Sequence, residues 1–477
     1  MSSLPTYNEP LLNSDGQPND GWQMQRLVVT VLAVSLGSSL QFGFATGSLN
    51  NLEAVVPASL PGTLETWQWA LINSFFSIGG LIGSYGCVAP LAYLGRKKTL
   101  LWANLFVFLS SALMFFGEVW WVLLLGRVSI GVVAGVAQMV AGSYMTEIAP
   151  IAIRGSVGVC SQVGIVCGIA FANFLTAPVF HTLGTLEHWR YVFVVPSLFS
   201  IFQLIVLPFC PESPSFLIKQ YGSAATLSTL MKLHREESAA RHMSALKQQV
   251  QQGGGGGVDY TLPQLFADKS LRKQLLVGIV IKIGVQFSGI DAIFYYSTIM
   301  FRAAEVPDPQ LATTLLSLVN LAMTFIAMGI MEKAGRKPLM MCTWVGMCCG
   351  FFTIFAAQTA SESFGILPSV MPKVEVVAMV MIIVSFAVGV GNVEGFIISE
   401  IMPVYAKDTL ASIGQPLNWI ANLTVSTAFP IVFEALGRNT YLIFVALTAF
   451  FGWFTFNKVP ETKGKTIAQL TKEFDKY

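Results

Sequence analysis

Apolar residues in this chain come in long blocks parted by short polar breaks. Blocks of spanning length fall at 26–48, 66–91, 99–117, 120–143, 156–178 and 190–210. Six more follow at 274–302, 310–331, 338–359, 374–401, 408–434 and 440–458. About 20 mostly apolar residues cross the hydrocarbon core of a bilayer as a helix, so the pattern predicts twelve spans. One long polar interval interrupts it. Within residues 211–273, Ala224 to Gln252 is polar and helix-prone, and Gly253–Gly257 reads as a loose tether. The expected layout is a disordered segment 1–25, a six-helix bundle 26–210, a helical linker 211–273, a second six-helix bundle 274–458 and a tail 459–477.

Composition supports that reading. Charged residues make up 11% of the chain and apolar ones 54%, whereas a soluble domain runs near 25% charged. The fold class expected is an all-α membrane protein. Lys and Arg bias sets its orientation. Loops after even-numbered spans hold Arg96-Lys97-Lys98, Arg154, Lys333, Arg336, Lys337 and Lys407, while residues 50–66 contain neither Lys nor Arg. Both termini are therefore expected on the cytoplasmic side. A net charge of +2 without a basic block offers no footprint for nucleic acid. The seven cysteines lie in or beside apolar stretches with no C-x-x-C pair, which argues against a disulfide framework or a zinc site. The first twenty residues show no apolar core of a signal peptide. All four histidines fall outside the spans with no nucleophile or metal constellation, so neither an enzyme nor a cofactor is expected.

The two halves repeat. Gly95-Arg96-Lys97 after the second span recurs as Gly335-Arg336-Lys337 after the eighth. Glu147 with Arg154 recurs as Glu400 with Lys407, and Pro211-Glu212-Ser213 as Pro460-Glu461-Thr462. Three matches in one order argue for a duplicated six-helix unit, the build of many secondary transporters. These charges have two readings. They anchor helix ends and set topology, or they form a cytoplasmic gate. In the second reading Glu147 and Arg154 pair with Arg336 or Glu332 across the halves, and Glu400 and Lys407 pair with Arg96. Glu212 and Glu461 join the same network, and the pairs part when the halves rock.

Several stretches resemble the sugar porter family, the facilitative glucose transporters of the major facilitator superfamily. They are Gln41-Phe-Gly-Phe-Ala45-Thr-Gly47, Pro211-Glu-Ser-Pro214, Gln286-Phe-Ser-Gly-Ile290, Phe294-Tyr-Tyr-Ser-Thr298, Asn418-Trp419 and Val459-Pro-Glu-Thr-Lys-Gly464. The resemblance covers residues 26 to 466 and implies two pseudo-symmetric six-helix bundles. It also implies sugar contacts at Gln162, Gln286, Asp291, Asn320, Asn418 and Trp419, and an external gate at Phe294, Tyr295 and Tyr296. Amides suit a hydroxyl-rich ligand because they both donate and accept; as interhelical glue they would look the same.

Departures from the family pattern bear on substrate. Val285 stands where the family carries a first glutamine, and Asp291 where it usually has Asn. On the tenth span a proline-rich stretch ending in Trp reads Gly389-Val-Gly-Asn-Val-Glu-Gly395, which predicts a larger cavity and a different bend. Lys282, one turn before Gln286, joins Asp291 and Glu394 as ionisable groups inside spans, each a functional-site hypothesis. Lys282 either pairs with Glu394 or Asp291, or the set selects a modified sugar, a polyol or an organic anion. Proton-driven relatives place an Asp on the first span where this chain has Ala45, so coupling would have to use Asp291 or Glu394 instead.

The function these features imply is uniport of a hexose, such as glucose or fructose, or of a related polyol, by alternating access. The alternatives are a proton-coupled symporter and a non-transporting nutrient sensor, the latter disfavoured by the short tail. The partners expected are a small sugar and the lipid bilayer, with a monomer as the working unit and the plasma membrane as location. Glu9-Pro-Leu-Leu12 resembles a dileucine sorting signal imperfectly, and Gly79-x-x-x-Gly83 fits helix packing within or between chains.

Overall fold

The computed structural model describes residues 21–62, 64–150, 153–233, 239–244, 246–247, 262–331, 334–365, 369–463, 465 and 467–474. Glu9-Pro-Leu-Leu12, Gly253–Gly257 and Glu332 lie outside the described residues, as do the side chains of Arg154 and Lys407. The described residues form helices and turns with no strand.

Helix α1 covers Gly21–Val34, loosens into a π-turn at Ser35–Ser39 and continues over Leu40–Gly47. The N-terminal set continues with α2 (Thr66–Gly86), α3 (Val88–Phe116), α4 (Trp120–Ile148), α5 (Arg154–Thr176) and α6 (Val195–Val206). In the polar interval lie α7 (Pro214–Leu233) and α8 (Leu262–Ala267). The C-terminal set holds α9 (Arg272–Phe287), α10 (Ile290–Ala303), α11 (Pro309–Met331) and α12 (Arg336–Phe364). It ends with α13 (Met371–Val388), α14 (Val390–Ile401), α15 (Val404–Leu436), α16 (Thr440–Lys458) and the short α17 (Ile467–Phe474).

Among the described residues ten segments are long and apolar enough to cross a membrane. One of them, Thr409–Lys458, holds most of α15 and all of α16 on either side of a turn at Gly437–Asn439. Helix α2 is not in that set, and its surroundings explain why. Asn73, Ser74, Ser77, Gly79, Gly80, Gly83 and Ser84 are all buried against protein, so α2 has little need of lipid-compatible side chains. The third block, expected from 99, begins earlier: Gly95 at φ 83° separates a short turn starting at Val88 from the rod proper.

Close packing follows from small residues. A Cβ on Gly79 would strike the Val128 carbonyl, and one on Gly131 the Phe76 carbonyl, so α2 and α4 touch backbone to backbone. The Gly79-x-x-x-Gly83 motif thus serves contact inside one chain. Between the two sets, α15 packs on α2 and α11 on α5. Outward-facing Trp102, Phe106, Leu109, Phe450, Trp453 and Phe456 leave a broad apolar surface, which marks a membrane-facing wall. The protein is an integral, multi-pass membrane protein.

Candidate functional site

Two rods break beside the polar residues that the sequence singles out. Gly289, at φ 87°, parts α9 from α10, and α10 restarts with Asp291 in its first turn. The partial positive end of that helix faces the carboxylate. Gly389 parts α13 from α14. There Thr343 Oγ1 accepts the Val390 N–H at 2.9 Å, and Asn392 Nδ2 donates to the Ala387 carbonyl at 2.7 Å. Side chains therefore satisfy the broken backbone that lipid could not. Asn392 is one of the side chains that patch this break.

A chain of hydrogen bonds ties the first break, at Gly289, to α15. Asn418 Nδ2 donates to the Lys282 carbonyl at 3.0 Å, and Gln286 Nε2 donates to Asn418 Oδ1 at 3.1 Å. Asn422 Nδ2 donates to Gln286 Oε1 at 3.3 Å and to Asp291 Oδ2 at 2.7 Å. Asn422 Oδ1 accepts from Ser77 Oγ on α2 and from Tyr295 OH at 3.5 Å. Neither Asn422 nor Ser77 is among the residues that the sequence singles out. The available signal was spacing: Asn422 stands four residues after Asn418, on the same helix face.

Lys282 pairs with Glu394 rather than with Asp291. Beside Glu394, Gly395 is exposed, and a Cβ placed there would meet nothing within 4 Å. Trp419 packs against the N-terminal set, with ring centroids 5.8 Å from both Phe42 and Phe76. Its ring lies against Gly80, where no side chain would fit. Gln162 and Asn320 stand outside this chain of bonds. Gln162 is half-buried on α5, and Asn320 is buried on α11 with its Nδ2 unpartnered among the described residues.

Arg127 on α4 is fully buried. Its Nη1 donates to the Ala45 carbonyl at 2.6 Å, and its guanidinium lies 4.7 Å from the Phe76 ring centre. The Nε and Nη2 atoms find no acceptor among the described residues.

At the Asn50 end the two helix sets are tied together. Asn50 Nδ2 donates to the Phe294 carbonyl at 2.9 Å and to Ser297 Oγ at 2.8 Å, and its Oδ1 accepts the Thr298 N–H at 3.1 Å. Thr298 Oγ1 donates to Asn51 Oδ1 at 3.0 Å, and Arg302 meets Glu53 at 2.6 Å. Burial pushes the Glu53 carboxyl up to about 7, against the pull of Arg302. Of the three gate aromatics, Tyr296 OH donates to the Ser426 carbonyl at 2.7 Å and its ring stacks on Phe429. Tyr295 is buried against Asn422, and Phe294 meets Phe386 edge to face.

The Arg96 end differs from expectation. Arg96 pairs with Glu147 at 3.1 Å and Arg336 with Glu400 at 2.8 Å, each inside its own half. Neither described pair crosses the halves. The reason lies in the backbone: Glu212 accepts the N–H groups of Arg96 and Lys97, and Glu461 those of Arg336 and Lys337. Ser213 then binds Glu147, and Thr462 binds Glu400. Each motif closes on its own helix ends. The twins differ in burial. Burial raises the Glu212 carboxyl despite the N–H donors of Ser213, Lys97 and Arg96 and the Arg96 charge. At Glu461 burial acts the same way, but N–H donors of Lys463, Arg336, Lys337 and Thr462 outweigh it and hold the carboxyl below its usual range.

These features define a membrane carrier of the major facilitator fold. The xylose transporter XylE from E. coli, in a partially occluded inward-open conformation, matches this architecture with a TM-score of 0.78 at 23% identity, over 93% of this chain and 100% of that one. The chain belongs to the sugar (and other) transporter family, whose profile matches residues 28–474. Among curated relatives, human solute carrier family 2, facilitated glucose transporter member 4, is 32% identical over 99% of this chain and 95% of its own. Rat member 3 is 33% identical over 94% and 93%.

Proposed function

We propose that this protein is a uniporter that lets a hexose or related polyol equilibrate across the plasma membrane by alternating access. It works as a monomer of twelve spans with both termini cytoplasmic. The observation that carries the reading is the polar chain Gln286–Asn418–Asn422–Asp291, set between two broken helices at the interface of the halves. Broken rods that present amides to a cavity are where carriers bind their cargo, and amides pair with hydroxyls in both senses. Gln162 and Asn320 approach the ligand from α5 and α11, and Trp419 covers its apolar face. Phe294, Tyr295 and Tyr296 close over it with the Asn50 ties, which makes the conformation described closed on the external side. Arg96, Glu147, Glu212, Arg336, Glu400 and Glu461 hold each half's inner rim in shape. Uniport is supported by Arg127, which faces the Ala45 carbonyl rather than a titrating carboxylate.

Purified protein in liposomes tests the reading, with labelled glucose, fructose and a polyol and with or without an imposed proton gradient. Saturable equilibration to an inside–outside ratio of one, insensitive to the gradient, is the expected result. Accumulation above one only when the outside is acidic would replace uniport by symport.

A further inference from the structure

One carboxylate in the central chain has no cation. Glu394 is matched by Lys282, but Asp291 accepts only the neutral Asn422 amide, at 2.7 Å on Oδ2. No ion pair reaches it among the described residues, and the charged neighbour whose field acts on it is Glu394, of the same sign. Asp291 is 8% exposed, too enclosed for bulk water to screen it. Arg127 gives Nη1 to the Ala45 carbonyl and lies over the Phe76 ring, and no described ion pair joins it to Asp291. The cluster of Lys282, Glu394 and Asp291 therefore sets one cation against two carboxyl groups.

We propose that Asp291 is a subsite for an ammonium group, so that the carrier takes amino sugars in preference to their neutral parents and rejects sugar acids. This rests on the sugar-transport reading. A neutral hydroxyl can donate to an Asp291 oxygen, but an ammonium donates and also supplies the cation that favours the ionised carboxylate. Charge-assisted bonds are roughly twice as strong as neutral ones, which amounts to about a fivefold preference. A sugar carboxylate would meet Asp291 and Glu394 against Lys282 alone.

The test measures inhibition of labelled-glucose uptake in liposomes by glucosamine, N-acetylglucosamine, glucose and glucuronate. Binding is followed in parallel by tryptophan fluorescence, which Trp419 makes sensitive to the cavity. Glucosamine is expected to act at about fivefold lower concentration than glucose, with glucuronate inactive. N-acetylglucosamine separates charge from bulk, because it keeps the nitrogen without the charge, and it is expected to lose the advantage. In Asp291→Asn the glucosamine-to-glucose ratio should fall to one whatever the overall rate, and Asp291→Glu should retain it. Equal potency of glucosamine and glucose in the wild type would overturn the subsite alone, as would a preference that survives in Asp291→Asn. Glucosamine binding without transport of any sugar would instead sink the transport reading and leave the subsite standing.

Discussion

Asn422 uses both ends of its amide, donating to Gln286 and Asp291 and accepting from Ser77 and Tyr295. Asn422→Ala strands several buried polar groups at once, each costing about 1–3 kcal/mol when unsatisfied. The expected outcome is a clear drop in melting temperature in detergent and loss of uptake; a variant with normal Tm would mean that water fills the gap. Glu53 carries a second residue-scale expectation. Its carboxyl sits at about 7 while buried at the closed Asn50 end, against 4.5 when hydrated. The closed form thus holds the proton more tightly, so closure gains stability as pH falls through 7 towards 4.5 and loses that gain above 7. A cysteine placed at Ser48, in a background without the native cysteines, should label more slowly as the solution bathing the Asn50 end is acidified, relative to an exposed-thiol control. Glu53→Gln should label slowly at every pH, and Arg302→Ala faster at neutral pH, because it leaves a buried charge unpaired. Equal shifts in both variants would contradict this account. The sequence named most of the polar chain, because amides inside apolar runs stand out. It did not reveal Asn422 or the choice of Glu394 over Asp291, since spacing along one helix says nothing of which neighbouring helix faces it.

The breaks at Gly289 and Gly389 are invisible to hydropathy. Apolar run length reports what the side chains can dissolve in, whereas a break is a backbone event; hence 274–302 and 374–401 read as single rods. Gly289 holds φ 87°, and a Cβ there would lie 2.7 Å from Phe444 and 2.9 Å from Phe351. Gly289→Ala should cost about 1–2 kcal/mol through handedness alone, with overpacking added. A melting curve and an uptake assay on the same preparation check this; unchanged values in both would show that α9 and α10 can join without harm. Where hydropathy overlooked polarity it erred for a packing reason: α2 is screened from lipid by α4 and α15 and so is free to carry serines and glycines.

At the scale of the whole molecule, the repeat was legible in the order of its charged motifs, but the partners of those charges were not. Opposite signs at matched positions suggested bonds across the halves. Backbone N–H groups, which a sequence string does not display, instead draw Glu212 and Glu461 onto their own helix starts. Each half therefore arrives with its Arg96 or Arg336 end already clamped, and among the described residues the two are joined by the Asn50 tie and the contacts of α15 with α2 and α11 with α5. It follows that the peptide link between them serves mainly to deliver equal copies. Cut within Gly253–Gly257 and made from two messages, the pieces should find each other in the bilayer and restore uptake, while either piece alone should not. A carrier of this kind is a dimer that happens to be written as one sentence.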